Sequence, residues 1–584
     1  MLHELIKYDP PELPPSEPGF TTRTIRWLVE ISTNGKLINV LPLGDNKGEQ
    51  VSKCPEMHNM VAGGRAHFLV ETLQTVVLLF KTNEDSKKIA GTEEKHKYFK
   101  EMLRQAAIAV PDLVSLTTFI SDENQLALLR ERFGKEKAKP TDWLSWRIAG
   151  EDPLQNYAIL NWWRNWRDKD KSKVKFGEKE KTRKSSQKTN NMICYLTGQI
   201  LEPVSTTPKI TGLSGVGGLS MGDVMVGFDK DAFCSFGLEQ ARNAAMSEVA
   251  ARKYVDVLNY LIKNHSRKLA NTLVVHWFKE TVTQENDPLA FLFEPPEITE
   301  AAALGSAKQI LEALRTGQRP TPTNNRYFAL TISGASGRVM VRDWIEGSFE
   351  ELIRKIEQWF SDLEIIDRDG NNLARDPKFM AVCGAIVRDL KDLPAPTAAT
   401  LWRVALAGLP IPQPFIAQAL ARFRADLIDD KSFNHARMGL IKAYFIRKGG
   451  NHSMSAYLNK EHPAPAYQCG RLLAMLASLQ RAALPDVGAG IVQRYYVAAS
   501  QTPGLTLGRL IGNSKNHLNK LDSGLAFWYE DQIAEIWSHI KDYIPTTLNL
   551  EQQTLFALGY YQQIAANRAG KKNNTNEPIK GEKV

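Results

Sequence analysis

The sequence predicts an α+β fold, in which mixed α/β N-terminal and central regions with short antiparallel sheets precede an all-α C-terminal helical bundle. Three observations predict it. Two hairpin patterns, around Thr33-Asn34-Gly35 and around Ser333-Gly334-Ala335-Ser336, join short apolar runs and mark antiparallel pairs. From about Asp376 the apolar positions recur only at helical spacing. The chain has 584 residues, beyond the roughly 250–300 at which single cores stop growing, so two or three domains are expected.

In the N-terminal region, residues 1–190, Thr24–Ile31 and Lys36–Leu41 read as strands, and helices are expected from His67 to Phe80 and from Lys95 to Val110. Trp162, Trp163 and Trp166 open a different texture: residues 164–188 hold eleven Lys/Arg against four Asp/Glu. Such a run buries too little apolar surface to fold alone, and an exposed, mobile loop is expected from Trp162 to Lys188. It reads either as a solvated linker or as a basic arm touching a phosphate backbone through Lys171, Lys173, Lys175, Lys181, Arg183 and Lys184.

In the central region, residues 191–375, strands are expected at Asp223–Phe228 and Asn271–Phe278, with a helix over Phe236–Lys263 between them. Arg326–Ile332 and Gly337–Trp344 flank the second hairpin. Ser348 and Glu351 form a capping box, in which each side chain satisfies a free backbone NH at a helix start. Phe349, Leu352, Ile353, Ile356 and Phe360 then make one apolar face. The bundle, residues 376–564, carries stripes such as Cys469, Leu472, Leu473, Leu476 and Leu479. Residues 565–584 are polar, rich in Asn and Lys, and expected to be disordered.

Composition narrows the class. Hydrophobic residues make up 43% and charged residues 24%, as in ordinary globular proteins. No apolar run approaches the roughly 20 residues of a membrane span, and Val70 to Phe80 is interrupted by Glu71, Thr72, Gln74 and Thr75. Met1 to Glu17 lacks the pattern of a signal peptide, so a soluble intracellular protein with no membrane partner is expected. The five cysteines lie at least 40 residues apart, so neither a zinc knuckle nor a redox pair is expected. The net charge of +9 makes a polyanion a reasonable partner, since each neutralised phosphate releases counterions.

No catalytic constellation is legible. Thr211 to Gly222 holds five glycines, but the Gly-Lys-Ser/Thr ending of a P-loop does not follow, and a strand rather than a helix is expected next. None of the eleven histidines precedes an aspartate, and His-Glu-x-x-His and Gly-x-Ser-x-Gly are missing. No catalytic residue, metal or cofactor is expected. The glycine loop has two readings. Gly215, Gly217 and Gly218 can offer NH groups to phosphate oxygens beside Lys209, with Gln240, Arg242 and Asn243 reading bases or backbone from a helix start. Alternatively the loop is a hairpin connection with ordinary surface amides. Trp27, Trp277, Trp344, Trp359 and Trp537 fall on apolar stripes and read as core, as does His276. In the bundle, Arg471, Arg494, Arg509, Lys515 and Lys520 serve either solubility or the guidance of a single strand.

Cys194-Tyr-Leu-Thr-Gly-Gln, Lys209-Ile-Thr-Gly-Leu and the glycine loop, followed by Gly227-Phe-Asp, Ser235-Phe-Gly, Gln240 and Asn243-Ala, resemble the large-subunit family of the type I-C CRISPR Cascade complex. Val341-Arg-Asp-Trp-Ile-Glu-Gly-Ser-Phe, Gly470-Arg-Leu-Leu, Thr502-Pro and Lys520-Leu keep that family's order, and the match runs from about Phe20 to Leu521. Cys54–Phe80 departs from the usual form, leaving Gly63-Gly-Arg65 a weak basic candidate. The resemblance implies a non-catalytic subunit that contacts the PAM and target double-stranded DNA, helps open the duplex and recruits a helicase-nuclease. It implies guide crRNA, the Cascade backbone and crRNA-end-capping subunits as partners. It further implies a C-terminal bundle resembling the small subunit, which the same gene supplies from an internal start: Met454, with Met438 and Met475 as alternatives. The competing expectation is a divergent DNA-acting enzyme with an unrecognised active site.

Overall fold

Two units make up the chain in the computed structural model: Met1–Pro208 with Val226–Leu258, and Lys209–Met225 with Asn259–Val584. The described residues are 1–13, 15–45, 48–57, 64–81, 84–177, 191–204, 206–283, 286–294, 309, 312, 325–429, 433–449, 454–485 and 488–575, with backbone alone at 170–177 and 570–575. The domain limits expected at 190 and 375 rest on composition; the units exchange at Pro208, Met225 and Leu258.

The first unit contains strands β1 (Phe20–Ile25), β2 (Trp27–Ile31), β3 (Leu37–Pro42), β4 (Glu49–Pro55), β5 (Glu71–Thr72), β6 (Trp143–Ile148), β7 (Met192–Ile193) and β8 (Ile200–Leu201). Its helices are α1 (Leu2–Lys7), α2 (Leu73–Val77), α3 (Ser86–Ala109), α4 (Val114–Ser121), α5 (Glu123–Lys135), α6 (Tyr157–Gly177) and the part of α7 (Glu248–Asn264) up to Leu258. The Asn34-Gly35 turn joins β2 to β3 as its residue types favour. These strands belong to a sheet of order β3-β2-β6-β5, antiparallel except where β2 runs parallel to β6. Val29, Ile31, Leu103, Phe119 and Trp146 are buried in its core.

The helix expected over His67–Phe80 shrinks to α2. Leu69 and Leu78 take left-handed backbone angles (φ +62° and +55°), and the Glu71 carboxylate accepts from the His67 and Thr72 amides at 3.0 and 2.8 Å. Those contacts hold the chain in β5 instead. The loop expected from Trp162 is helix α6 as far as Gly177. Trp163 is fully buried, donates to the Gly19 carbonyl at 2.8 Å and stacks with Phe68 and Trp166. The tryptophans at this spacing form a helix face that buries itself, so the basic run starts on an anchored helix.

The second unit carries an antiparallel sheet of order β12-β11-β10-β9, built from β9 (Ser266–Leu269), β10 (Thr272–Phe278), β11 (Arg326–Ala335) and β12 (Arg338–Ser348). Its turn is Ser336-Gly337, both with positive φ, two residues beyond the centre of the expected turn; Gly334 lies inside β11. Helices α8 (Pro288–Phe293), α9 (Phe349–Leu363), α10 (Phe379–Gly384), α11 (Ala395–Ala407), α12 (Gln413–Ile428) and α13 (His435–Lys448) follow. Ser348 Oγ accepts from the Glu351 amide at 3.2 Å, and Phe349, Leu352, Ile353, Ile356 and Phe360 are buried along α9 as their spacing requires.

The chain closes with α14 (Pro465–Ala483), α15 (Ile491–Gln501), α16 (Pro503–Leu518), α17 (Ser523–Ser538) and α18 (Leu550–Thr575). Among the described residues no strand follows β12. Helices α14 and α18 touch backbone to backbone: a Cβ at Gly470 would lie 2.0 Å from the Phe556 carbonyl oxygen, and one at Gly559 would lie 2.2 Å from that of Tyr467. The tail expected to be disordered from Ala565 is instead helical to Thr575, because Tyr561 and Ala565 continue the buried face; residues 576–584 lie outside the described residues. No helix among the described residues is long and apolar enough to cross a membrane.

Candidate nucleic-acid interface

The glycine loop, in the second unit, is closed at its base by Ile210 and Asp223, which exchange both backbone hydrogen bonds at 2.8 Å. Inside it, the Gly218 amide donates to the Leu213 carbonyl at 2.9 Å. The fully buried Asp223 carboxylate accepts from the Leu219 amide through both oxygens, at 3.2 and 3.1 Å. An anion already fills the position a phosphate would take. Gly218 and Gly334 meet in van der Waals contact: a Cβ on Gly334 would fall 2.1 Å from the Gly218 Cα. Gly217 is likewise closed off, a Cβ there falling 2.8 Å from the Gly334 carbonyl oxygen. Beyond the loop, the expected Asp223–Phe228 strand reduces to two single bridges, that of Asp223 with Ile210 and one beside Arg338, in which Val224 donates to Gly337 and accepts from Val339. Gly217 and Gly218 are therefore packing glycines. Gly215 faces open space, and Lys209 is exposed, its backbone held by Asn259.

Gln240, Arg242 and Asn243 belong to the first unit, and the structure gives them a different setting from the expected helix. Phe236, Gly237 and Gln240 take left-handed backbone angles (φ +53°, +70° and +49°), which end any α-helix before it starts. The segment is a projecting loop with short 3-10 turns at Asp231–Phe233 and Gln240–Ala244, and α7 begins only at Glu248. Asn243 pins it. Its Oδ1 accepts from the Ser235 amide at 2.9 Å and the Ser235 hydroxyl at 3.4 Å, while its Nδ2 donates to the Leu238 and Gln240 carbonyls, both at 3.0 Å. Both amide hydrogens are thus committed, and Asn243 cannot read a base edge while the loop stands. Arg242 is half-buried. Gln240 is exposed, and so is Phe236, at 98%. Sequence reasoning passed over Phe236; an aromatic residue before a glycine between turn signals was the available clue. The loop's return is tied down where Tyr195 and Val204 donate to the Ala245 and Met246 carbonyls at 3.0 and 2.9 Å.

Of the basic arm, Lys171, Lys173 and Lys175 lie on the backbone of α6, and their side chains lie outside the described residues, as do Lys181, Arg183 and Lys184 entirely. At the start of that run Arg164 is already paired with Glu17, and the buried Arg167 with Glu248. Gly63 lies outside the described residues, and Arg65 is half-buried.

In the bundle, Arg471 cannot serve a strand. It is fully buried, bonded to Glu535 at 2.8 Å, Gln563 at 2.9 Å, and Gln468 and the Lys460 carbonyl at 2.8 and 2.9 Å. A guanidinium so enclosed ties three helices together. Arg494, Arg509, Lys515 and Lys520 are exposed. Met454 lies just before α14, partly buried against the core.

A cluster the sequence did not reveal sits in the first unit. Glu56 bridges Arg252 and Arg23, the latter at 3.5 Å, and Arg23 lies 4.2 Å from the Trp143 ring centroid. His67 faces Arg23 at 3.2 Å and accepts from the Met57 amide. Burial, reinforced by Arg23 and Lys95, pushes the His67 pKa down to about 3, so the ring is neutral. The cluster joins strands to a helix inside the unit. Among the described residues no group of three or more His, Cys, Asp or Glu could hold a metal ion.

No curated protein matches the chain. A family model does, over residues 4–567, nearly the whole sequence. The chain belongs to the CRISPR-associated protein family Cas_Csd1.

Proposed function

We propose that this chain is the non-catalytic large subunit of a type I-C RNA-guided surveillance complex, recognising the PAM and the target duplex. Membership of the family implies a Cascade-type complex with other CRISPR-associated proteins. In this reading it binds guide crRNA, the backbone and crRNA-end-capping subunits and a small subunit translated from Met454 of the same gene. It aids R-loop formation and recruits the helicase-nuclease, in a prokaryotic cytoplasm.

The observation that supports the reading most is the pinned loop of residues 229–243, which displays Gln240 and Phe236 outward on a fixed base. A glutamine amide can make paired hydrogen bonds to a base edge in the major groove. An exposed phenyl ring can insert between base steps and unstack them. Holding both on left-handed backbone lowers the ordering cost when DNA arrives. Exposed Lys209, Arg494, Arg509, Lys515 and Lys520 add phosphate contacts that weaken as salt rises.

The test uses the assembled, guide-loaded complex and two duplexes that differ only in the PAM. Gln240→Ala narrows the affinity gap between them by about 1–3 kcal/mol, the value of one base contact. An equal loss on both duplexes would place Gln240 on the backbone. Incubation of the purified chain with DNA and magnesium or manganese leaves the DNA intact; cleavage that persists through repurification would overturn the non-catalytic reading.

A further inference from the structure

Within the second unit, α14, α15 and α18 and the segment after α12 enclose a cavity of about 550 Å³. That volume falls in the roughly 300–1,000 Å³ range of small-molecule sites. Among its described lining residues three are arginines, Arg368, Arg481 and Arg568, and none is acidic. Arg481 and Arg368 are exposed at the mouth; Arg368 reaches Asp369 only at 3.9 Å. Arg568 donates to the Arg368 carbonyl at 3.2 Å and stands 5.8 Å from the Phe433 ring centroid, which fixes its guanidinium in place.

The N-terminus of α15 also lines this space. Its Gly490 and Ile491 amides are satisfied by the neutral side-chain oxygens of Gln493 and Gln480, at 2.9 and 2.7 Å, so among the described residues no carboxylate caps the positive helix end. The same cavity is also lined by the aromatic side chains of Phe433 and the buried Tyr560. Three guanidiniums lining one cavity suit phosphate oxygens, and aromatic side chains beside them suit a flat ring. One ligand class has both parts.

We propose that this cavity binds a nucleotide, with its phosphate among Arg368, Arg481 and Arg568 and its base against Phe433 and Tyr560. The site contains none of Gln240, Arg494, Arg509, Lys515 or Lys520 and stands independently of the function proposed above. The nucleotide comes either free or as one residue of a single strand.

The full chain is titrated with a fluorescent adenosine monophosphate and, separately, with a labelled five-nucleotide single strand. The double variant Arg368→Gln/Arg481→Gln, both positions exposed, binds at least tenfold more weakly in the arm that matches the source, with its melting temperature unchanged. Arg568→Lys, which keeps the charge but loses the fork, binds several-fold more weakly. Arginine-dependent binding in either arm supports the site, and the arm names the source. Binding in neither arm, or binding untouched by the double variant, overturns it. Inorganic phosphate competing as well as the nucleotide does would overturn the aromatic half, leaving an adventitious ion only.

Discussion

The loop of residues 210–224 turns its backbone amides inward, whereas the loop of residues 229–243 turns its side chains outward. In the first, Gly218 and Leu219 spend their NH groups on the Leu213 carbonyl and the Asp223 carboxylate, and Gly334 admits the crossing backbone. In the second, one side chain, Asn243, makes four hydrogen bonds to the loop, and Gln240 and Phe236 stay exposed. Both loops carry residue types associated with nucleic-acid contact. Glycine serves close approach in one; an amide serves as a peg in the other. A residue type suited to a ligand is equally suited to the protein's own backbone, and only the tally of hydrogen bonds distinguishes the two uses.

The comparison can be broken most forcefully at Gly334. Replacement by Val drives a side chain into Gly218, and the second unit loses about 3 kcal/mol, read as a lower urea midpoint. A midpoint unchanged within error would mean that the glycine loop is not locked. Next, Asn243→Ala removes the peg and costs about 1–2 kcal/mol. Because the loop then loosens and Gln240 with it, the guide-loaded complex loses more affinity for the PAM duplex than for the altered one. Discrimination left intact would detach the peg from the base contact. Phe236→Ala leaves the urea midpoint within about 0.5 kcal/mol, as expected for an exposed side chain, but slows R-loop opening several-fold. Unchanged opening would remove Phe236 from the interface. Smallest of all, Gly215→Ala meets open space and changes neither stability nor DNA binding. A marked loss of DNA affinity there would restore the phosphate-cradle reading of the glycine loop.

Much of the framework was legible because its causes are local. The Asn34-Gly35 turn, the Ser348 cap and the apolar stripe of α9 each depend on residues within a few positions of one another. What was not legible depends on distant partners. The parallel pairing of β2 with β6 needs a strand more than a hundred residues away, and nothing in either strand announces it. Gly334 reads as a turn residue until Gly218 is placed against it. Arg471 looks like a surface charge off the apolar stripe, since Glu535 and Gln563, which accept its hydrogen bonds, lie on two later helices. Within the candidate site the sequence named Gln240 for a helix start, and the left-handed φ of Phe236, Gly237 and Gln240 turned that start into an exposed loop, the helix itself running from Glu248.

The most direct test of the account is the ratio of affinities for PAM and altered-PAM duplexes, measured on guide-loaded complexes that carry either Gln240→Ala or Gly215→Ala. The account predicts that the ratio falls about tenfold for Gln240→Ala, equivalent to roughly 1.4 kcal/mol, and stays unchanged for Gly215→Ala. The reverse pattern, with the ratio held by the glutamine variant and lost by the glycine variant, would contradict it.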